Sequence, residues 1–461
     1  MYESIKITLY VMCLFSCSAY YSVVLGWCFY FLFYYLANDL PDTYEESSKI
    51  FNDFALYSDW PVLFHFLAIS FAALSIAWGV KSIEMVNTAT VPIFLGLILF
   101  TFIWSLTLDQ AAEGIKFLFT PDWGELKEAR LWVDAISQNA FDTGAASGLF
   151  MSYAAYMTAE HGIVKLGALI PMGNNFVSLT CGMLTYATVF SSRLQANDTI
   201  EEIVVILKEN GPANTGLTFI WFPLLYNTIS GGRVLAILFF FALSLAGLSS
   251  MVANVELFVH NVKDLGVERW QATIGCSVVI FVIGVGSAVN LNFLLNQDFV
   301  WGFALIISGT MFLYMIYSYG VKKFRDDMFN TYSIDDWKLP VLWEWIVKFV
   351  APLEAAVLLV WWAFDTISND GDHPWYGFSP ESFMSCMVQW FGFMVILITV
   401  NLCYVRYWRL PQGVDDKRDN VDLLQSDTVE ETLSNSHLDL HSNSHSNYGT
   451  ISEENLEETK Y

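Results

Sequence analysis

Long apolar runs separated by short polar breaks set the plan of this chain. Ten stretches hold roughly 20 predominantly apolar residues each, the length a helix needs to cross the hydrocarbon core of a bilayer. They fall at about 7–36, 60–80, 86–108, 134–157, 163–190, 233–261, 273–292, 299–320, 340–363 and 383–405. The pattern predicts an all-α polytopic membrane protein. Between the fifth and sixth runs, loop 191–232 carries a pattern of its own. Residues 200–207 read as a short amphipathic helix. After the Gly211-Pro212 break, 216–223 is too apolar for a solvated loop. That segment either packs back over the outer vestibule as a lid or lies on lipid, and composition does not choose between the two. From Pro411 onward the runs stop, and the chain has too few large apolar residues to fold alone. The expected organisation is a transmembrane domain over 1–410 and a disordered acidic cytosolic tail over 411–461.

One position breaks the apolar rule inside a run. Asp142 lies mid-span in the stretch Gln138-Asn139-Ala140-Phe141-Asp142-Thr143-Gly144-Ala145-Ala146-Ser147-Gly148. A carboxylate at bilayer depth is costly and reads by default as a functional group facing a cavity. The small residues around it weaken the helix. A helix broken at mid-membrane frees carbonyls and amides beside the carboxylate, an arrangement able to hold a cation. The competing reading is a kinked helix with a neutral, hydrogen-bonded Asp. Glu256, Glu354 and His65 also lie in spans and receive no role, because hydrogen-bonded packing accounts for them equally.

Hydrophobic residues make up 55% of the chain and charged residues only 15%, in keeping with many spans. The net charge of −24 says little about partners, because the last 50 positions hold twelve acidic and three basic residues, or −9. Nucleic acid is not expected, since it would need the opposite sign. Cations sort to one side: Lys81, Lys165, Lys263, Arg269, Lys322, Lys323, Arg325 and Lys338, with Lys6, Arg406 and Arg409. That places both termini in the cytosol. The acceptor motif Asn197-Asp198-Thr199 then falls outside, open to glycosylation. The seven cysteines lie in apolar stretches and predict no disulfide framework. In the tail, His437, His441 and His445 read as chance clustering rather than a metal site, and Asp419-x-x-x-Leu423-Leu424 has the form of a dileucine sorting signal.

Five ordered blocks carry a resemblance. They are 19–27 (Ala-Tyr-Tyr-Ser-Val-Val-Leu-Gly-Trp), 109–123, the Asp142 region, Asn174-Asn175-Phe176-Val177-Ser178, and Ala246-Gly247-Leu248-Ser249-Ser250. From about residue 10 to 405 the chain resembles the neurotransmitter:sodium symporters. The resemblance implies the inverted-repeat sodium-symporter fold, with these ten spans matching the family's third to twelfth. The family's first helix, with its Asn-x-Trp-Arg-Phe-Pro motif, and its second helix have no counterpart here, so the chain is expected to be N-terminally incomplete.

By the resemblance, Tyr21 contacts the substrate carboxylate, Phe141 forms an aromatic lid, Gly144 borders the substrate, and Cys17 and Asn254 line the pocket. Asp142 and Asn174 match a first sodium site. Ala246 (through its carbonyl), Ser249 and Ser250 match a second. These are hard oxygen ligands, suited to a hard cation. Gln138 and Ser178 match an anion site, although Asp142 could itself supply the charge that chloride supplies elsewhere. Asp298 and Asp264 match the extracellular and intracellular gate acids.

The expectation is therefore sodium-coupled symport of an amino acid or related amine by alternating access, with no enzyme activity and a plasma-membrane location. Chloride dependence and a homo-oligomer stay open. The alternatives are a truncated, non-transporting isoform that pairs with full-length subunits, an incomplete gene model, and a channel or receptor. As it stands the chain is expected to transport poorly, since the absent helix should supply about half of each sodium shell.

Overall fold

The computed structural model describes residues 2–407 apart from 145, 147, 148, 155, 156, 209, 210, 264, 265, 333 and 369–373. Every element among them is a helix. In chain order they are α1 (Tyr2–Ala37), α2 (Tyr44–Ala55), α3 (Trp60–Ile76), α4 (Val80–Leu106), α5 (Ala111–Leu118), α6 (Ala129–Asp142), α7 (Leu149–Ala154), α8 (Ile163–Gln195) and α9 (Ile200–Lys208). There follow α10 (Phe222–Asn227), α11 (Gly232–Lys263), α12 (Arg269–Val289), α13 (Leu291–Tyr319), α14 (Val321–Arg325), α15 (Val341–Trp345), α16 (Ala351–Ser368) and α17 (Phe383–Tyr407). Met1–Ile398 forms one compact unit, and of the second, Thr399–Tyr461, only the end of α17 is described. The expected tail 411–461 lies outside the described residues.

Among the described residues, six stretches are long and apolar enough to cross a membrane: Cys17–Ala37, Lys81–Leu106, Gly232–Lys263, Arg269–Val289, Leu291–Tyr319 and Val341–Ser368. Helices α2 and α3, bent by 70° at a short break, are together apolar enough for a seventh if the bent pair is one span rather than a re-entrant loop. The remaining runs are helical too. Run 134–157 is split between α6 and α7. Helix α8 is 33 residues long, but its amides and hydroxyls and an internal Pro171 dilute its apolar character. In α17 the described residues include a shorter apolar stretch, Phe383–Ile396.

Helix α1 is the central post, packed on α3, α11, α12 and α13. Its span is 61% buried inside the protein, against 17% for α4 and for the α15–α16 stretch, which are therefore peripheral. In lipid, helices associate through close packing and hydrogen bonds rather than through exclusion of water, so small residues at crossings matter. Gly284 of α12 is one. A methyl group there would lie 2.5 Å from the His65 ring and 2.6 Å from the Ala19 carbonyl oxygen. His65 is fully buried at this three-helix junction. Its Nε2–H donates to the Phe281 carbonyl (3.2 Å), its Nδ1 meets Ser22 Oγ (3.1 Å), and its ring stacks on Phe281.

One end of the bundle is closed by aromatics. Trp27 lies edge-on to Phe51 (5.5 Å), Phe54 (6.1 Å) and Phe219 (5.6 Å), while Phe31 contacts Phe219 and Phe240. Such offset pairs add to the packing energy of each ring. Phe219, Ile220, Trp221 and Phe222 are all buried. The apolar segment 216–223 therefore packs inward onto α1, α2 and α11 rather than lying on lipid. On the opposite side, Glu256 is wholly buried and pairs bidentately with Arg269 (2.5 and 3.2 Å), whose guanidinium also donates to the Ile76 carbonyl.

Candidate ion and substrate site

Helix α6 stops at Asp142 because the chain that follows cannot sustain it. Gly144 and Ala146 both adopt positive φ, +63° and +62°. Glycine does so freely, whereas Ala146 is held there against its preference. The Thr143 hydroxyl also competes for the Asn139 carbonyl (2.7 Å). Neighbouring helices satisfy the freed backbone. Asn174 of α8 donates its amide to the Asp142 carbonyl (3.0 Å) and to Asp142 Oδ2 (2.8 Å). Ser308 of α13 donates to the Ala146 carbonyl (3.0 Å). One turn earlier, Asn175 donates to Asn139 Oδ1 (3.2 Å). An amide spends both of its protons in this way and keeps its carbonyl oxygen as an acceptor. The junction therefore collects a carboxylate and an amide oxygen beside a break in the helix. That donor set fits a hard monovalent cation.

A second oxygen cluster lies where α11 crosses α1. Ala246, Ser249 and Ser250 fall within about one turn of α11. Ser249 Oγ donates to Asn87 Oδ1 of α4 (3.2 Å), and the Tyr153 hydroxyl of α7 hydrogen-bonds Asn87 in turn. Tyr21 of α1 hydrogen-bonds the Ser250 side chain. The helices meet closely because of Gly247: a methyl there would stand 2.7 Å from Leu25 Cδ1 and 3.6 Å from the Tyr21 hydroxyl. The phenol expected at the substrate carboxylate and the hydroxyls expected at a sodium ion are thus in direct contact. Asn87 and Tyr153 were missed by the sequence reading. The available signal was that Asn87 is the only amide in α4.

Other candidate residues are placed as follows. Cys17 Sγ points at the Trp301 carbonyl (3.7 Å), and Asn254 donates to Ser250 O one turn back (3.1 Å). Both therefore have structural partners. Gln138 is exposed on α6 and Ser178 half-buried on α8, and among the described residues no hydrogen bond joins them. The Asp298 carboxylate on α13 accepts from the Tyr20 phenol, so α1 and α13 are tied by the neighbour of Tyr21. Asp264 and the Phe141 side chain lie outside the described residues.

The described helices form an apolar bundle around a broken one, with a carboxylate at the break. The model of the sodium:neurotransmitter symporter family matches residues 52–409, and the chain belongs to that family. The family is one of transporters, not enzymes. Among solved structures the fold is similar to MhsT in complex with L-phenylalanine, with a TM-score of 0.63, 23% identity, and coverage of 76% of this chain and 79% of that one. An uncharacterized sodium-dependent transporter of Methanocaldococcus jannaschii is 24% identical over 360 residues, covering 74% of this chain and 70% of its own length. A sodium- and chloride-dependent GABA transporter of Drosophila melanogaster is 33% identical over 211 residues, covering 43% and 21%. A sodium- and chloride-dependent glycine transporter of Xenopus laevis is 25% identical, covering 73% and 43%. The chain thus spans less than half the length of these last two relatives.

Proposed function

We propose that the protein is a sodium-coupled symporter of a small amino-acid-like substrate. The observation that carries this reading is the Asn174 amide clasping both the carbonyl and the carboxylate of Asp142 where α6 breaks. Asp142 and Asn174 hold one sodium ion. Ser249 and Ser250, with the Ala246 carbonyl, hold the other. Tyr21 donates its phenol proton to the substrate carboxylate, and Gly144 with Phe141 borders the substrate. Coupling follows from geometry: Tyr21 and Ser250 share a hydrogen bond, so filling either position orders the other. Asp298, tied to Tyr20, serves as an outer gate, with Asp264 as the inner one. The membrane location is the plasma membrane, with both termini cytosolic.

The test is uptake of a radiolabelled amino-acid panel by cells expressing the complete gene, with sodium replaced by choline in parallel. Uptake that requires sodium and is lost in Asp142→Ala supports the reading. Currents that pass without a saturating substrate would replace it with a channel.

A further inference from the structure

Helix α8 starts on a residue that cannot cap it. Its N-cap is Gly162, which has no side chain to take the first amide protons, and the opening amides of a helix have no partner inside it. An aspartate far along the chain does that work. Asp336 Oδ2 accepts from the Val164 amide (2.7 Å) and Oδ1 from the Lys165 amide (3.1 Å). These are the second and third helical positions, the ones an N-cap side chain normally serves, and a negative charge there suits the helix dipole. The bare glycine admits it, since a methyl group at 162 would lie 3.2 Å from Asp336 Oδ1. Beside this contact the Ile334 amide donates to the Ala159 carbonyl (2.8 Å). Ala159 lies in the connection from α7 to α8, where the His161 amide donates to the Thr158 carbonyl (3.0 Å). The segment presenting Ile334 and Asp336, between α14 and α15, is braced at its root. Asn330 and Leu339 exchange two hydrogen bonds (3.2 and 2.7 Å), and Arg325 of α14 pairs with Glu344 of α15 (2.9 Å).

We propose that the segment between α14 and α15 is a latch on α7, the second half of the broken helix, with Asp336 as its fastening. It grips the chain at two points, Ala159 and the first turn of α8, on either side of Gly162. Residues 155–162 join α7 to α8, so α7 cannot swing far while that short connection is pinned. Asp336 is thus a positioning residue. It acts through α7 and through α8, whose Asn174 holds Asp142 at the break. Release of the latch frees α7 to move, a step whose purpose in transport rests on the symporter reading. The latch itself is measured without sodium or substrate, so its failure and that of the symporter reading are told apart.

The experiment follows hydrogen exchange in the purified full chain in detergent, segment by segment. Asp336→Ala should quicken exchange roughly fivefold or more in the first turn of α8, the usual scale of a lost cap. The same variant should quicken exchange in 157–162 and in α7. Gly162→Asp in that background supplies a cap from the residue at the helix start, at a φ of −73° that any residue adopts. The double variant should regain slow exchange in the first turn of α8 while 157–162 and α7 stay fast. Asp336→Asn keeps the size of the side chain and one acceptor oxygen. It should free the same segments by a smaller factor, and it carries the test if Asp336→Ala does not fold. A double variant in which 157–162 and α7 return to wild-type rates would show Asp336 to be a remote cap and nothing more. That result, or α7 exchange unchanged in both Asp336 variants, overturns the proposal.

Discussion

Tyr21 shows how much one hydroxyl carries at the residue scale. Its phenol reaches Ser250 on α11, and its helix meets α11 at Gly247, so the hydroxyl is fixed in direction before any substrate arrives. Tyr21→Phe removes that donor without opening a cavity. The loss of a hydrogen bond to a charged group costs about 1.5–3 kcal/mol, or roughly ten- to a hundred-fold in apparent affinity. Concentration dependence of uptake measures it, and an unchanged half-saturation would remove Tyr21 from the site. Asn174→Ala acts differently. It strips the partner from both the Asp142 carbonyl and the carboxylate, so the sodium concentration needed for half-maximal uptake should rise while substrate affinity at saturating sodium is kept. A variant whose sodium curve does not move would show that Asn174 only splints the broken helix.

Two features set the limits at the scale of elements. Gly284 lets α12 close on His65 and Ala19. Gly284→Ala should destabilise the junction by about 1–3 kcal/mol, the usual cost of overpacking, read as a lower melting temperature. No loss would mean that α12 can slide. Helix α9 begins with a reciprocal cap, in which the Thr199 amide and hydroxyl donate to Glu202 (2.8 and 3.0 Å) and the Glu202 amide donates to Thr199 (3.3 Å). The backbone hydrogen bond from Thr199, then its hydroxyl, hold the Glu202 carboxyl below its usual range. A folded value below the unfolded one means the cap is fully present above the unfolded pKa and is lost as pH falls through the folded one. Hydrogen exchange of the α9 amides should therefore quicken on acidification, and Glu202→Gln should flatten that response.

Much of this was readable from sequence because polar residues inside apolar runs stand out: Asp142, Asn174, Ser249 and Ser250 were named on that ground or by motif. The break in α6 was legible from its run of small residues. Asn87 and Tyr153 were not, since nothing local says that α4 and α7 will converge on Ser249. Nor could composition say whether 216–223 faces lipid or protein, both being apolar. The Glu256–Arg269 pair joins a span residue to one counted among loop cations, a partnership only the fold provides.

On the proposed symport, charge neutrality of the ion and substrate site is the constraint on the whole molecule. Two monovalent cations brought with a zwitterionic substrate into a low-dielectric interior need compensating negative charge, and an unpaired buried ion costs several kcal/mol. The protein supplies a carboxylate at the break, Asp142, four residues after Gln138 on α6 and held by Asn174 of α8, four residues before Ser178. If Asp142 does the work that a bound anion does in chloride-dependent relatives, replacing chloride by a large inert anion such as gluconate should leave uptake unchanged. Asp142→Ser should then create a need for chloride, because the fixed charge is gone while the Gln138 amide and the Ser178 hydroxyl remain to donate to an anion. The measurement is sodium-driven uptake by wild type and mutant across a chloride titration at constant ionic strength. Chloride dependence in the wild type, or a mutant inactive at every chloride concentration, would leave Asp142 as an ordinary sodium ligand or a structural acid.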